Sequence, residues 1–144
     1  MIKIDYAQYP FKTRVQDGNQ QIFDELRKAW LKLTPEEWVR QHFVHYMVSR
    51  NIPASLIALE KSIRVGELTK RFDILVYDRS HNPWMMVECK SMDVRLSSEV
   101  LHQLLRYNLG VPVKYLLITN GNYCMGFTRG SGQFAELSEF PEYE

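Results

Sequence analysis

The chain has 144 residues, of which 45% are hydrophobic and 12% aromatic, so it can bury a sizeable core and is not globally disordered, collagen-like or a coiled coil. Lys and Arg number 18 against 17 Asp and Glu, which leaves a net charge of +1. This balance excludes a protein that binds nucleic acid through bulk charge, so any such contact must come from a local basic surface.

The first 33 residues carry two competing patterns. Asp17-Gly18 is typical of a tight hairpin turn after an alternating stretch. Ile22, Leu26 and Trp30 then recur every fourth residue, as they would on one face of a helix. Helix and hairpin strand therefore both remain open for residues 22–30.

The next element is a helix with a clear start. Thr34-Pro35-Glu36-Glu37 places a capping Thr before a Pro and a Glu three residues after the cap. Large apolar residues follow at spacings of three and four, namely Trp38, Val39, Phe43, Tyr46 and Met47. This pattern predicts a helix that runs to about Arg50 and is ended by Asn51 and Pro53.

Alternating and apolar runs predict five strands after this helix, at residues 59–65, 71–77, 83–90, 113–119 and 123–128. The second and third of them should form an antiparallel hairpin across a turn at residues 78–82. A second helix is predicted from Ser97 to Leu109, and it can serve as the crossover to a parallel strand. Asn120-Gly121 predicts the last hairpin turn.

The order of elements predicts an α/β (α+β) fold with a mixed central sheet flanked by helices. We expect a single domain over 1–144, with an extension at 1–33, a core at 34–128 and a polar, frayed tail at 129–144. No stretch reaches the ~20 apolar residues needed to cross a bilayer. With only Cys89 and Cys124, a cytoplasmic protein with reduced thiols is expected.

Three charged residues of the central hairpin are predicted to converge. Glu88 and Lys90 alternate with apolar residues and therefore share one face of their strand. With the turn at 79–82, Asp73 on the preceding strand lies at the height of Glu88. Two carboxylates so close repel each other on a mostly buried sheet, and a divalent cation such as Mg²⁺ or Mn²⁺ removes that conflict.

A longer set of motifs resembles a known family. Asp73 followed by Glu88-Cys89-Lys90 resembles the PD-(D/E)xK nuclease signature. Together with the segments at 33–41 and 71–74, Gln103 with Tyr107, and 119–121, it resembles the N-terminal nuclease domain of the type I restriction enzyme R subunit. The resemblance covers about residues 20–128. Phe72 stands where the signature has Pro, and the P-loop pattern GxxxxGK[ST] of the subunit's helicase motor does not occur in the chain.

The resemblance implies a restriction-endonuclease-like fold and a magnesium-dependent DNA endonuclease. It implies that Asp73 and Glu88 ligate the metal, that Lys90 assists the attacking water, and that Gln103 and Tyr107 lie beside the metal site. It also implies DNA and other restriction-system subunits as partners, with sequence specificity supplied by those subunits.

Plainer interpretations stand beside these. The central charges could be an exposed ion-pair cluster, and the capping box accounts for Glu37. Glu60 is either a further site carboxylate or the polar side of a strand. The basic residues near the site are ordinary solvated charges or a phosphate track, namely Lys61, Arg64, Lys70, Arg71 and, on the second helix, Arg106.

Overall fold

The computed structural model describes residues 1–4, 9–130 and 132–144. In these residues the chain forms a seven-stranded mixed sheet, a three-stranded antiparallel sheet and two α-helices. The small sheet has strands β2 Thr13–Gln16, β3 Asn19–Asp24 and β4 Ala29–Lys32. The strands of the large sheet are β1 Ile2–Lys3, β5 Ile57–Val65, β6 Leu68–Tyr77, β7 Pro83–Cys89, β8 Tyr115–Thr119, β9 Tyr123–Arg129 and β10 Phe134–Glu136. The helices are α1 Pro35–Ser49 and α2 Ser98–Tyr107, and a short 3₁₀ turn spans Ala54–Leu56.

The large sheet has the strand order β1-β9-β8-β7-β6-β5, with β10 paired to β9. β6 and β7 form the predicted antiparallel hairpin, and β8 lies parallel to β7 after the α2 crossover. The prediction of a mixed sheet flanked by helices is therefore confirmed. Neither helix is long and apolar enough, within the described part of the chain, to cross a membrane.

Helix α1 begins where the sequence predicts. The Thr34 hydroxyl accepts a hydrogen bond from the Glu37 amide at 3.1 Å, and Pro35 occupies the first turn. Asn51, with φ 69°, ends the helix in a left-handed conformation. The buried face packs on one side of the large sheet and includes Val39, Phe43, Val44 and Met47.

Helix α2 covers the other side of the large sheet. The Ser97 hydroxyl caps it by accepting from the Val100 amide at 3.3 Å. Leu101 and Leu104 pack on Leu75 and Met86 of the sheet. The core is thus divided by the sheet into two layers, one under each helix.

Residues 22–30 form strands and not a helix. Asp17 and Gly18 both have positive φ, 52° and 78°, as the predicted tight turn requires. Ile22 then pairs with Leu31 and Phe23 with Trp30 across the next turn. These cross-strand partners decide between the two patterns that residues 22–30 carry, because each pair lies directly opposite on one face of the sheet.

The expectation of a frayed tail is wrong. Residues 134–136 form β10, and Phe140 is buried against Phe43 and Tyr46 of α1. The Tyr143 hydroxyl donates a hydrogen bond to the Tyr77 carbonyl at 2.8 Å. Aromatic residues between the glutamates supply the apolar contacts that order this acidic segment.

Candidate active site

Strands β6 and β7 bring Asp73 and Glu88 to facing positions. Ile74 pairs with Val87, so one further step of the same register sets Asp73 opposite Glu88. Asp73 Oδ2 accepts a hydrogen bond from the Cys89 amide at 2.8 Å. A side chain thus takes the place of a strand carbonyl as acceptor, which fixes the carboxylate against β7.

The predicted alternation of β6 is interrupted at this point. Ile74 and Val76 pack under α1, but Phe72 joins Leu75 in the layer under α2. Regular strand alternation would put Phe72 on the same face as Ile74, and the structure departs from it here. The interruption falls beside Asp73, where the regular pairing of β6 with β7 also stops.

Lys90 lies directly after β7 and returns to Glu88. Its amide donates to the Thr119 carbonyl of β8 at 2.8 Å, and its ammonium Nζ lies 3.1 Å from Glu88 Oε1. Both side chains are a little over one third exposed, at 39% for Lys90 and 38% for Glu88. The pair is accessible to solvent and to a ligand.

Helix α2 closes the site from above the sheet. Gln103 and Tyr107 are four residues apart and both line one cleft of about 490 Å³. The lining includes all five residues that the sequence and the resemblance nominated: Asp73, Glu88, Lys90, Gln103 and Tyr107. Tyr107 is 68% exposed at the mouth of the cleft.

The basic residues proposed as nucleic-acid contacts separate into two groups. Lys70 and Arg71 line the cleft, and the Lys70 ammonium donates to the Tyr107 carbonyl. Arg64 and Arg106 are exposed but lie outside the cleft lining, and Arg64 Nε donates to the Gly66 carbonyl at 3.3 Å. Only the first group is placed to meet a phosphate in the cleft.

Glu37 belongs to a buried charge network and not to a capping box. Its carboxylate accepts from Arg27 Nη2 at 2.6 Å, from Arg40 Nε at 2.6 Å and from Gln41 Nε2 at 3.2 Å. Its side chain is only 4% exposed. The Thr34 cap is confirmed, but the interpretation of the Glu37 side chain as part of the cap is wrong, because its carboxylate binds Arg27 and Arg40.

Arg40 carries this network to Asp73. Its Nη1 lies 3.7 Å from Asp73 Oδ1 and has no hydrogen-bond partner, although it is buried. Burial raises the pKa of Asp73, while the Cys89 amide and the Arg40 charge oppose the rise. The site thus holds a carboxylate whose charge is costly and is only partly compensated.

Glu60 of β5 also faces the network. It lies in the row of Asp73 on the neighbouring strand and has a left-handed φ of 50°, which is strained for a residue with a side chain. Its carboxylate lies 2.7 Å from Arg27 Nη1 and 3.2 Å from Arg40 Nη1. Glu60 is therefore more than the polar side of a strand, although it is not part of the cleft lining.

Sequence reasoning missed Arg27 and Arg40. A signal for Arg40 does exist, since it stands three, four and seven residues before Phe43, Val44 and Met47, on the apolar stripe of α1. A charge on such a stripe is buried and needs a partner. Arg27 offers no such signal, because its partners lie on three different elements.

The donor set fits a hard divalent cation. Asp73 and Glu88 offer carboxylate oxygens from adjacent strands, and both are partly exposed, which leaves room for the waters that Mg²⁺ keeps. Within the described ranges, no cluster of three or more His, Cys, Asp or Glu is arranged to hold a metal ion. Two carboxylates are nevertheless within the number that Mg²⁺ commonly uses in proteins.

The chain matches a known protein family over most of its length. The family model described as type I restriction enzyme R protein N terminus (HSDR_N) matches residues 35–141, which include the whole of the cleft lining. The small sheet precedes the matched region. Neither the curated proteins nor the solved structures contain a significant match to the chain.

Proposed function

The chain belongs to the family of type I restriction enzyme R protein N termini, and from this premise we propose that it is a metal-dependent DNA endonuclease. One observation carries the proposal. Five residues nominated from sequence, on two strands, one loop and one helix, line a single cleft together with Lys70 and Arg71. If the charges of the sheet were only an exposed ion-pair cluster, there would be no reason for Gln103 and Tyr107 of α2 to line the same cleft.

Asp73 and Glu88 would hold Mg²⁺, or Mn²⁺ in its place, because both present carboxylate oxygens to the cleft. The metal supplies a bound water of lowered pKa and compensates charge on the phosphate. The Lys90 ammonium orients the attacking water and stabilises negative charge as it develops on the phosphate. Lys70, Arg71, Gln103 and Tyr107 bind and orient the DNA strand at the mouth of the cleft.

The test is nicking of a supercoiled plasmid in the presence of Mg²⁺ or Mn²⁺. Asp73→Ala, Glu88→Ala and Lys90→Ala should each lower the nicking rate by about 100-fold or more, because each removes a group from the reacting centre. Glu67→Ala is the matched control, since Glu67 is an exposed carboxylate in the β5–β6 turn outside the cleft lining. Equal nicking by the wild type and all three site variants would identify a contaminating nuclease and reject the proposal.

A second candidate is a binding module that keeps the fold without the chemistry. It is favoured by the ionic contacts that the carboxylates already have, Glu88 with Lys90 and Asp73 beside Arg40. These contacts compensate the charge of Glu88, and that of Asp73 in part, without any metal. DNA binding with no nicking in either metal, for a folded wild-type protein, would favour this candidate.

We also propose that the domain acts with other restriction-system subunits. Its family is described as the N terminus of the R protein, and the phosphate contacts proposed for Lys70 and Arg71 carry no sequence information. Sequence specificity would then come from those partners.

A further inference from the structure

The small sheet has one buried face and one basic face. Ile22 and Asp24 point inward and are fully buried. The opposite face, which we call the outer face, is formed by Lys12, Arg14, Gln21, Phe23, Trp30 and Lys32. It carries three positive charges and no carboxylate.

Two of the three cations of the outer face, Lys12 and Arg14, lie over its aromatic rings. The Arg14 guanidinium lies 4.2 Å from the centre of the Trp30 ring, and its Nε donates to Gln21 Oε1 at 2.7 Å. The Lys12 ammonium lies 5.9 Å from the centre of the Phe23 ring. Ion pairs account for none of the three, since no described carboxylate lies within 4.0 Å of Lys12, Arg14 or Lys32.

The spacing of these cations suits a phosphate backbone. Arg14 and Lys32 flank Gln21 in one cross-strand row, so they are roughly 10 Å apart at the backbone. Lys12 lies two residues along the strand, at roughly 7 Å. Duplex DNA has a phosphate about every 3.4 Å along each strand, so phosphates two and three positions apart, at about 7 and 10 Å, match the distances from Arg14 to Lys12 and to Lys32.

The small sheet is anchored through Arg27 to the charge network that reaches Asp73. Arg27, in the β3–β4 turn, bonds Glu37 of α1 and Glu60 of β5, next to the row of Asp73. Lys32 is five residues further along, which is at most about 17 Å of extended chain. A duplex of 30 base pairs is roughly 100 Å long and extends well beyond that distance.

We propose that the outer face of the small sheet binds the phosphate backbone of duplex DNA beside the cleft. The proposal takes from the proposed function that DNA is the polymer bound. The contact is to phosphates and not to bases, because Arg14 and Lys12 cover the rings on which a base would stack. It makes the segment before the matched region, residues 12–32, a part of the DNA-binding surface.

The experiment measures binding of a 30-base-pair duplex by fluorescence anisotropy, in EDTA and from 50 to 200 mM salt, so that no cleavage is needed. The test variant is Lys12→Gln with Arg14→Gln and Lys32→Gln. The slope of log K against log salt should become shallower by about 2–3, since each lost phosphate contact removes about 0.9. At 50 mM salt the affinity should fall at least tenfold.

The matched control removes three cations that lie over rings elsewhere in the structure, by Arg50→Gln with Arg79→Gln and Lys114→Gln. These lie over Tyr46, Tyr143 and Tyr115, and none of them lines the cleft. The control has the same net charge as the test variant, so its slope should stay within about 0.5 of the wild type. A control that loses as much slope as the test variant would mean that bulk charge alone is measured, and this overturns the proposal.

A test variant that binds like the wild type also overturns the proposal, and would assign the outer face to some other partner. If the triple variant does not fold, Lys32→Gln alone, at the exposed end of β4, should reduce the slope by about 0.9, and an unchanged slope overturns the proposal. Plasmid nicking is scored separately. Loss of nicking in Lys90→Ala with intact binding tests the chemistry, whereas loss of binding in EDTA tests the outer face.

Discussion

At the scale of single residues, the ionisation of the Asp73 carboxyl group is subject to opposing effects. Burial disfavours its charge, the Cys89 amide favours it, and the Arg40 guanidinium favours it from 3.7 Å. Because the pKa of Asp73 is raised, the folded protein holds this proton more tightly than the unfolded chain does. The contribution of Asp73 to stability is therefore present below the unfolded pKa near 3.8 and is lost as the pH rises through the folded value.

The first prediction concerns Asp73→Asn without metal. Asn keeps an oxygen for the Cys89 amide and cannot ionise, so the variant should be as stable as the wild type or more stable at pH 7. The stability difference should move in favour of the variant as the pH rises from 3.5 to 7. Urea unfolding at several pH values measures it. A variant that becomes less stable than the wild type over that range would show that Arg40 outweighs burial.

The second prediction concerns metal. With ~10 mM Mg²⁺ and a dissociation constant of ~1 mM, binding to the folded state contributes about 1.4 kcal/mol. For a domain of this size the melting temperature should rise by roughly 3–6 °C. Asp73→Asn should lose most of that rise, whereas Glu67→Ala should keep it. Equal shifts in wild type and Asp73→Asn would remove Asp73 from the ligand set.

At the scale of elements, Arg27 joins the small sheet to the large one. It bonds Asp24, Glu37 and Glu60, of which the first two are almost fully buried. Although burial raises the pKa of Asp24, hydrogen bonds and charge from Arg27 bring it below its ordinary value. The stability that this supplies is present above the unfolded pKa of Asp24 and is lost as the pH falls through the folded pKa.

The third prediction follows from that contact. Arg27→Met should cost about 3–5 kcal/mol, because it removes the guanidinium that pairs with the buried Asp24 and leaves the buried Glu37 with Arg40 as its cation. Arg64→Met is the control, since Arg64 is exposed on β5 and bonds only a nearby carbonyl, and it should change stability by less than about 0.5 kcal/mol. Urea unfolding at pH 7 compares the two. A small loss for Arg27→Met would mean that water compensates the carboxylates.

Elements with local signals were predictable, and those decided by distant partners were not. The Thr34 cap and the Asn120-Gly121 turn mark α1 and the β8–β9 hairpin in the sequence itself. Residues 22–30 satisfy the helical period as well, and pairing of Ile22 with Thr13 on one side and Leu31 on the other decides for a strand. A local pattern cannot contain that information, because it depends on which segment arrives opposite.

In the site, too, the residues marked by a local pattern were predictable and those placed by distant contacts were not. Asp73, Glu88 and Lys90 could be nominated because strand alternation and one hairpin place them together. The capping motif of α1 correctly predicts the hydrogen bond from the Glu37 amide to Thr34. It gives no indication that the Glu37 carboxylate binds Arg27, which is ten residues earlier in the chain. The charges that face Asp73 from α1 therefore appear only in the folded structure.

At the scale of the whole molecule, the near-neutral charge limits how DNA is bound. A net charge of +1 supplies little long-range attraction, so binding depends on local phosphate contacts. The fourth prediction is that two unrelated 30-base-pair duplexes bind with affinities within about threefold of each other. For five phosphate contacts, those of Lys70 and Arg71 and of the three cations of the outer face, the affinity should fall about 500-fold between 50 and 200 mM salt. Tight binding of one sequence that resists salt would contradict this, and the same titration measures both properties.

The pairing of β1 with β9 has a consequence for synthesis of the chain. Ile2 pairs with Cys124, so β1 cannot form its strand pair until the ribosome has synthesised about 120 further residues. At ~5–20 residues per second, a ribosome needs roughly 6–24 s to reach it. During that interval the backbone groups of β1 have no strand to pair with, and the length of β1, only two residues, limits how much it can pair with another nascent chain.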